Sequence, residues 1–159
     1  MNISEQYDRL LRYCYMKVRN RETAEDITQE SFARYLESEN YRESGKEMAY
    51  LYTIARNMCT DYFRKTKAIP IEDLPQDVRE RMEYEECRED EAEERLVIEA
   101  AMDKLDDQSR EIVTMRYIAG LSDAEIGRVL GLSRFSVHRR LKETLEKLKE
   151  ELEGAENDR

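Results

Sequence analysis

The residues best placed to do chemistry lie in one stretch near the C-terminus: Arg134, Phe135, His138, Arg139 and Lys142. Each arginine can make paired hydrogen bonds to a guanine edge, and a lysine can meet a phosphate. That chemistry is recognition of nucleic acid. No nucleophile–base pair, metal-ligand spacing or phosphate-cradling glycine loop accompanies it, and His138 is the only histidine. The sequence therefore predicts no catalytic residues, no metal and no cofactor. A solvated face on an ordinary helical hairpin is the competing reading of the same residues.

Positioning that face is the task of the stretch from Gly120 to Leu141. Gly120 suits the left-handed residue that ends a preceding helix. Ser122 and Glu125 form a capping box, and Ile126, Val129 and Leu130 give the short helix an apolar face. Gly131 breaks the helix where positive φ is easiest. Ser133 can cap the next helix, whose Val137, Leu141, Leu145, Leu148 and Leu152 recur at three- and four-residue spacing. Gly127 carries no side chain, so the second helix can approach it closely. The pattern is a helix-turn-helix. With Val137 and Leu141 inward, the cationic residues face outward.

Composition fits small helical bundles: 40% of the 159 residues are charged, glycine and proline are few, and tryptophan is absent. The formal charge is −10. It is unevenly placed, since residues 66–104 carry fourteen acidic and six basic side chains while residues 1–65 carry eleven of each. Net charge bears on solubility and non-specific association, not on what one helix face reads. Weak binding to free DNA follows, because little phosphate charge is neutralised. Cys14, Cys59 and Cys87 are odd in number and widely spaced, and the first two sit on apolar helical stripes as small hydrophobes. Without a signal peptide or long apolar run, a soluble cytoplasmic protein is expected.

In chain order, a first helix is predicted over about Ser4–Arg19, with Ile3, Tyr7, Leu10, Leu11, Cys14 and Val18 as its stripe. Thr23 and Asp26 suggest a capping box for a second helix over 24–37. That helix leaves Asp26, Gln29, Glu30 and Ala33 on its outer side, an acidic stripe that is either solvated or meets a basic partner. A polar loop bearing Tyr41 leads to a third helix over Glu47–Lys65. Tyr50, Thr53, Asn57, Asp61 and Arg64 run down one face of it, a set that can stack on bases and hold phosphates, or simply decorate a surface. Pro70 and Pro75 then break helical structure, and an acidic linker follows. Two all-α domains are expected: residues 1–67 with three helices and 94–153 with four. The linker would be 68–93 and a disordered tail 154–159.

Together these features resemble the extracytoplasmic-function (ECF) group of bacterial RNA polymerase sigma factors. In the first domain the likeness rests on Ala24-Glu25-Asp26-Ile27-Thr28-Gln29-Glu30-Ser31-Phe32, Tyr50-Leu51-Tyr52-Thr53-Ile54-Ala55-Arg56-Asn57 and Asp61-Tyr62-Phe63-Arg64. In the second it rests on Arg110-Glu111-Ile112-Val113, Arg116-Tyr117 and Leu121-Ser122-Asp123-Ala124-Glu125-Ile126-Gly127. The order and spacing of all of them make the resemblance specific.

The resemblance implies a sigma factor that binds core RNA polymerase and promoter DNA and melts the duplex. Asp26, Gln29 and Glu30 would dock on polymerase. Tyr41, Tyr50, Thr53, Arg56, Asn57 and Arg64 would take the −10 element as single strand. Arg134, Phe135, Ser136, His138, Arg139 and Lys142 would read the −35 duplex. An anti-sigma factor is an implied partner, with the free chain a monomer and no membrane insertion. The sequence departs from the family where a usual tryptophan is Tyr50, where a basic residue is His138, and where alanine is commoner than Gly127. The competing readings are a sigma-like mimic that sequesters a regulator, and a stand-alone helix-turn-helix repressor.

Overall fold

The computed structural model describes residues 2–38, 46–67 and 92–157, and every regular element among them is an α-helix. Helix α1 spans Ile3–Val18, α2 spans Arg21–Glu37 and α3 spans Glu47–Lys67. The second group is α4, Ala92–Asp103, α5, Asp107–Tyr117, α6, Asp123–Leu130, and α7, Arg134–Asn157. The expected linker falls almost wholly outside the described residues, as does the loop bearing Tyr41.

Local chemistry sets most of the helix ends. Asn20 caps α2 by accepting from the Thr23 backbone N–H at 3.0 Å, so the helix begins before the Thr23 box that the sequence suggests. Asp106 caps α5 in the same way through Ser109 at 2.6 Å, which holds its carboxyl below the ordinary range. The anticipated capping box on α6 is present in both directions, Ser122 to Glu125 and back. Gly120 and Gly131 take the expected left-handed φ of 71° and 72°. Helix α7 runs on to Asn157, past the point where a disordered tail was expected to begin.

Helices α1, α2 and α3 close around Leu10, Cys14, Ala24, Ile27, Leu51, Tyr52, Ala55 and Cys59. Both cysteines are free and fully buried, as small hydrophobes would be. The polar Thr28 and Ser31 enter this core by returning their hydroxyls to the Ala24 and Ile27 carbonyls. In the second group, Ile112, Met115, Leu121, Ile126, Val137 and Leu141 are buried. On α7 the apolar stripe passes through Thr144, 3% exposed, and not through Leu145, 36% exposed. Thr144 satisfies its hydroxyl on the Arg140 carbonyl at 2.6 Å.

The two groups touch. Helix α3 packs on α6 and α1 on α5, and one continuous core runs through both. The close approach expected at Gly127 is made by the turn and not by α7. A Cβ there would lie 2.4 Å from the Leu132 carbonyl oxygen, while Leu132 N–H donates to the Gly127 carbonyl at 2.8 Å. Because the obstructing atom is backbone, relief requires the turn itself to shift. Gly127→Ala is therefore expected to cost about 1–3 kcal/mol. At about 2–4 °C per kcal/mol for a chain of this size, the loss is measurable as a lowered melting temperature by circular dichroism. An unchanged midpoint would show that the turn relaxes freely.

Candidate nucleic-acid interface

The start of α7 is held from below and open above. Ser133 accepts from the Ser136 backbone N–H at 3.1 Å and fixes the first turn. Val137 and Leu141 are buried, which turns Arg134, Phe135, His138, Arg139 and Lys142 to solvent. Phe135 is 73% exposed and lies under the Arg134 guanidinium at 4.9 Å. Phe135 therefore takes no part in the core, and its ring is available to solvent beside a cation. Ser136 differs from the rest of its predicted set, since it is half-buried and its hydroxyl bonds that of Ser133 at 3.0 Å. It serves the cap. His138 Nδ1 lies 3.3 Å from Asp123 Oδ2, so the first residue of α6 orients the ring on α7. Fifteen residues separate that pair, and no local period marks it.

The second predicted set lies on α3. Tyr50, Thr53, Asn57 and Arg64 lie along the helix, about 21 Å from first to last at 1.5 Å per residue. Tyr50 is half-buried and leans on Tyr35, ring centroids 6.1 Å apart. Thr53 returns its hydroxyl to the Ala49 carbonyl at 2.6 Å. Asn57 and Arg64 are exposed. Arg56 parts company with these residues, because its Nε donates to Glu111 of α5 at 3.0 Å. In this arrangement its guanidinium serves the junction between the two groups of helices. Tyr41 lies outside the described residues.

The third set, Asp26, Gln29 and Glu30, is exposed and lines one shallow groove between α2 and α3, of about 710 Å³, with Asp61, Tyr62 and Lys65. Glu30 is paired with Arg34 at 3.0 Å along the helix. Among the described residues no group of acidic, histidine and cysteine side chains is arranged to hold a metal, and no helix is long and apolar enough to cross a membrane.

Sequence reasoning missed Glu111. It is 5% exposed, on α5, and accepts from three groups of the first helical group. Tyr13 Oη donates at 2.6 Å and Arg56 Nε at 3.0 Å to one oxygen, and Lys17 Nζ pairs with the other. Burial, and then the Glu111 charge, push the Tyr13 phenol well above its ordinary pKa, so it stays a donor.

Residues 3–69 match the family model described as Sigma-70 region 2, and residues 101–150 match Sigma-70, region 4. The chain is similar to the ECF RNA polymerase sigma factor BldN of Streptomyces coelicolor, 37% identical over 133 residues, which cover 80% of this chain and 50% of BldN. It is also similar to the ECF RNA polymerase sigma factor SigX of Bacillus subtilis, 30% identical over 165 residues, 90% of this chain and 81% of SigX. The chain thus spans about half the length of BldN. Among solved structures, the sigma factor RpoE of Bartonella quintana, in complex with the anti-sigma factor NepR, shares the fold. The TM-score is 0.66 at 18% identity, covering 95% of this chain and 94% of that one.

Exposed side chains such as Asn57 and Arg139 contribute little to folding. Asn57→Ala and Arg139→Ala are each expected to hold stability within about 0.5 kcal/mol by denaturant titration. A larger loss would mean that these residues support the fold.

Proposed function

We propose a function from one premise: this chain belongs to the extracytoplasmic-function (ECF) family of RNA polymerase sigma factors. It acts in the cytoplasm as a non-enzymatic initiation factor. It binds core RNA polymerase, directs it to promoters, and opens the duplex by capturing bases of the −10 element. The observation that carries this reading is the face of α7, where Arg134, Phe135, His138, Arg139 and Lys142 are exposed together above a buried Val137 and Leu141.

The chemistry divides among three surfaces. The start of α7 enters the major groove of the −35 duplex. Arg134 and Arg139 supply bidentate donors for guanine edges, Phe135 an apolar surface for a thymine methyl, and Lys142 a phosphate contact. Ser136 holds the turn that presents them. On α3, Tyr50 offers a face on which an unstacked base can lie and Asn57 offers an amide for its edge, with Arg64 on the backbone. Tyr41 and Arg56 complete that set. The groove bearing Asp26, Gln29 and Glu30 docks on a basic surface of polymerase. An anti-sigma factor is the regulatory partner, as NepR is for RpoE.

Each surface predicts a different defect. Arg139→Ala should weaken −35-dependent binding by about 1–3 kcal/mol, roughly ten- to a hundred-fold. Tyr41→Ala with Asn57→Ala should leave polymerase binding intact and lower the yield of open complex, read as permanganate-reactive thymines. Reversing Asp26 and Glu30 to arginine should abolish polymerase binding itself. Unchanged open-complex yield in the Tyr41 and Asn57 variant would overturn the −10 assignment.

A further inference from the structure

We propose that Glu111 is a latch. By accepting from Tyr13, Lys17 and Arg56, its carboxylate holds the two groups of helices closed in an arrangement that cannot engage a promoter, and releasing it makes the chain competent. The inference rests on the initiation-factor reading for its consequence, though not for its geometry.

The geometry concentrates the junction on one acid. Glu111 belongs to the second group and all three of its partners to the first. The partners lie 98, 94 and 55 residues away in sequence, so each contact exists only while the groups touch. A second pair, Arg19 with Glu99, repeats the sense of the charges, cations on α1 and α3 and anions on α4 and α5. Opposed charges of this kind fix register between packed surfaces. Behind the latch, within the first group, Tyr13 and Tyr52 pack edge-to-face at 5.3 Å and both are fully buried. The Tyr52 hydroxyl is buried there without a hydrogen-bond partner. A crevice of about 410 Å³ between α1 and the α4–α5 corner brings solvent to the edge of the network, where Lys17 and Arg56 are partly exposed. The junction is polar and reachable, which suits a contact that must open.

The closed arrangement conflicts with use. Elements centred at −35 and −10 lie about 25 base pairs apart, on the order of 85 Å of duplex at 3.4 Å per base pair. A compact chain of this length has a radius of gyration of about 15 Å and cannot hold α3 and the start of α7 that far apart. Arg56, one of the groups proposed for the −10 strand, is moreover engaged by Glu111. Opening separates the two readers and frees that guanidinium in one event.

Small-angle scattering on the purified full chain tests this. Glu111→Gln keeps the shape and removes the charge. Lys17→Glu places two carboxylates together from the partly exposed side, and so leaves the second group's core untouched. Each is expected to raise the radius of gyration by about 20% or more relative to the unmodified chain, with helical content unchanged by circular dichroism. Each should also speed assembly with core RNA polymerase several-fold. Variants as compact as the unmodified chain would overturn the latch, and so would an unmodified chain already as extended as the variants. Variants that expand but bind no polymerase in any form would support the latch and refute the initiation-factor reading.

Discussion

Glu111 sits at the junction where the fold's two groups of helices meet, almost sealed from water, and it is the charge to which their relative placement is tied. A carboxylate taken from water costs several kcal/mol unless its lone pairs are filled. Here a phenol, an ammonium and a guanidinium fill them, all from the other side of the junction. Separating the groups removes all three partners together, so the compensation of this charge depends on the two groups being in contact. The apolar packing of α3 on α6 adds area, but area alone is non-directional. The carboxylate supplies the direction.

This dependence explains how much could be read from the sequence. The helix-turn-helix was legible nearly residue by residue, because its determinants are local. Ser122 and Glu125 are three residues apart, Gly131 needs only its own φ, and Ser133 caps within its own turn. The outward face of α7 follows from Val137 and Leu141 by helical period alone. Where two local signals competed, the sequence misled: Asn20 outranks Thr23 as the cap of α2, since an asparagine side chain reaches the third N–H as readily. Thr144 replaces Leu145 in the α7 stripe because a threonine can return its hydroxyl to the helix and bury its methyl.

The junction was not legible at all. Glu111 enters only as part of the stretch Arg110-Glu111-Ile112-Val113 that carries the resemblance, and Arg56 only among the residues it implies for the −10 strand. Their meeting spans 55 residues and the acidic linker, and neither periodicity nor composition carries that information. The Asp123–His138 contact is a smaller case of the same kind. Such polar pairs form only once distant helices pack, so no local signal in the chain marks them.

The site and the junction are linked through α3 and α6. The helix that carries the proposed −10 groups packs on the first helix of the duplex-reading motif, so closure engages both readers at once. Every role proposed for these surfaces requires the chain to be an initiation factor, and co-elution of the purified protein with bacterial core RNA polymerase on a sizing column tests that most directly. A stoichiometric complex that opens a promoter is the predicted result. A chain that elutes apart from polymerase and binds duplex DNA by itself would contradict the account.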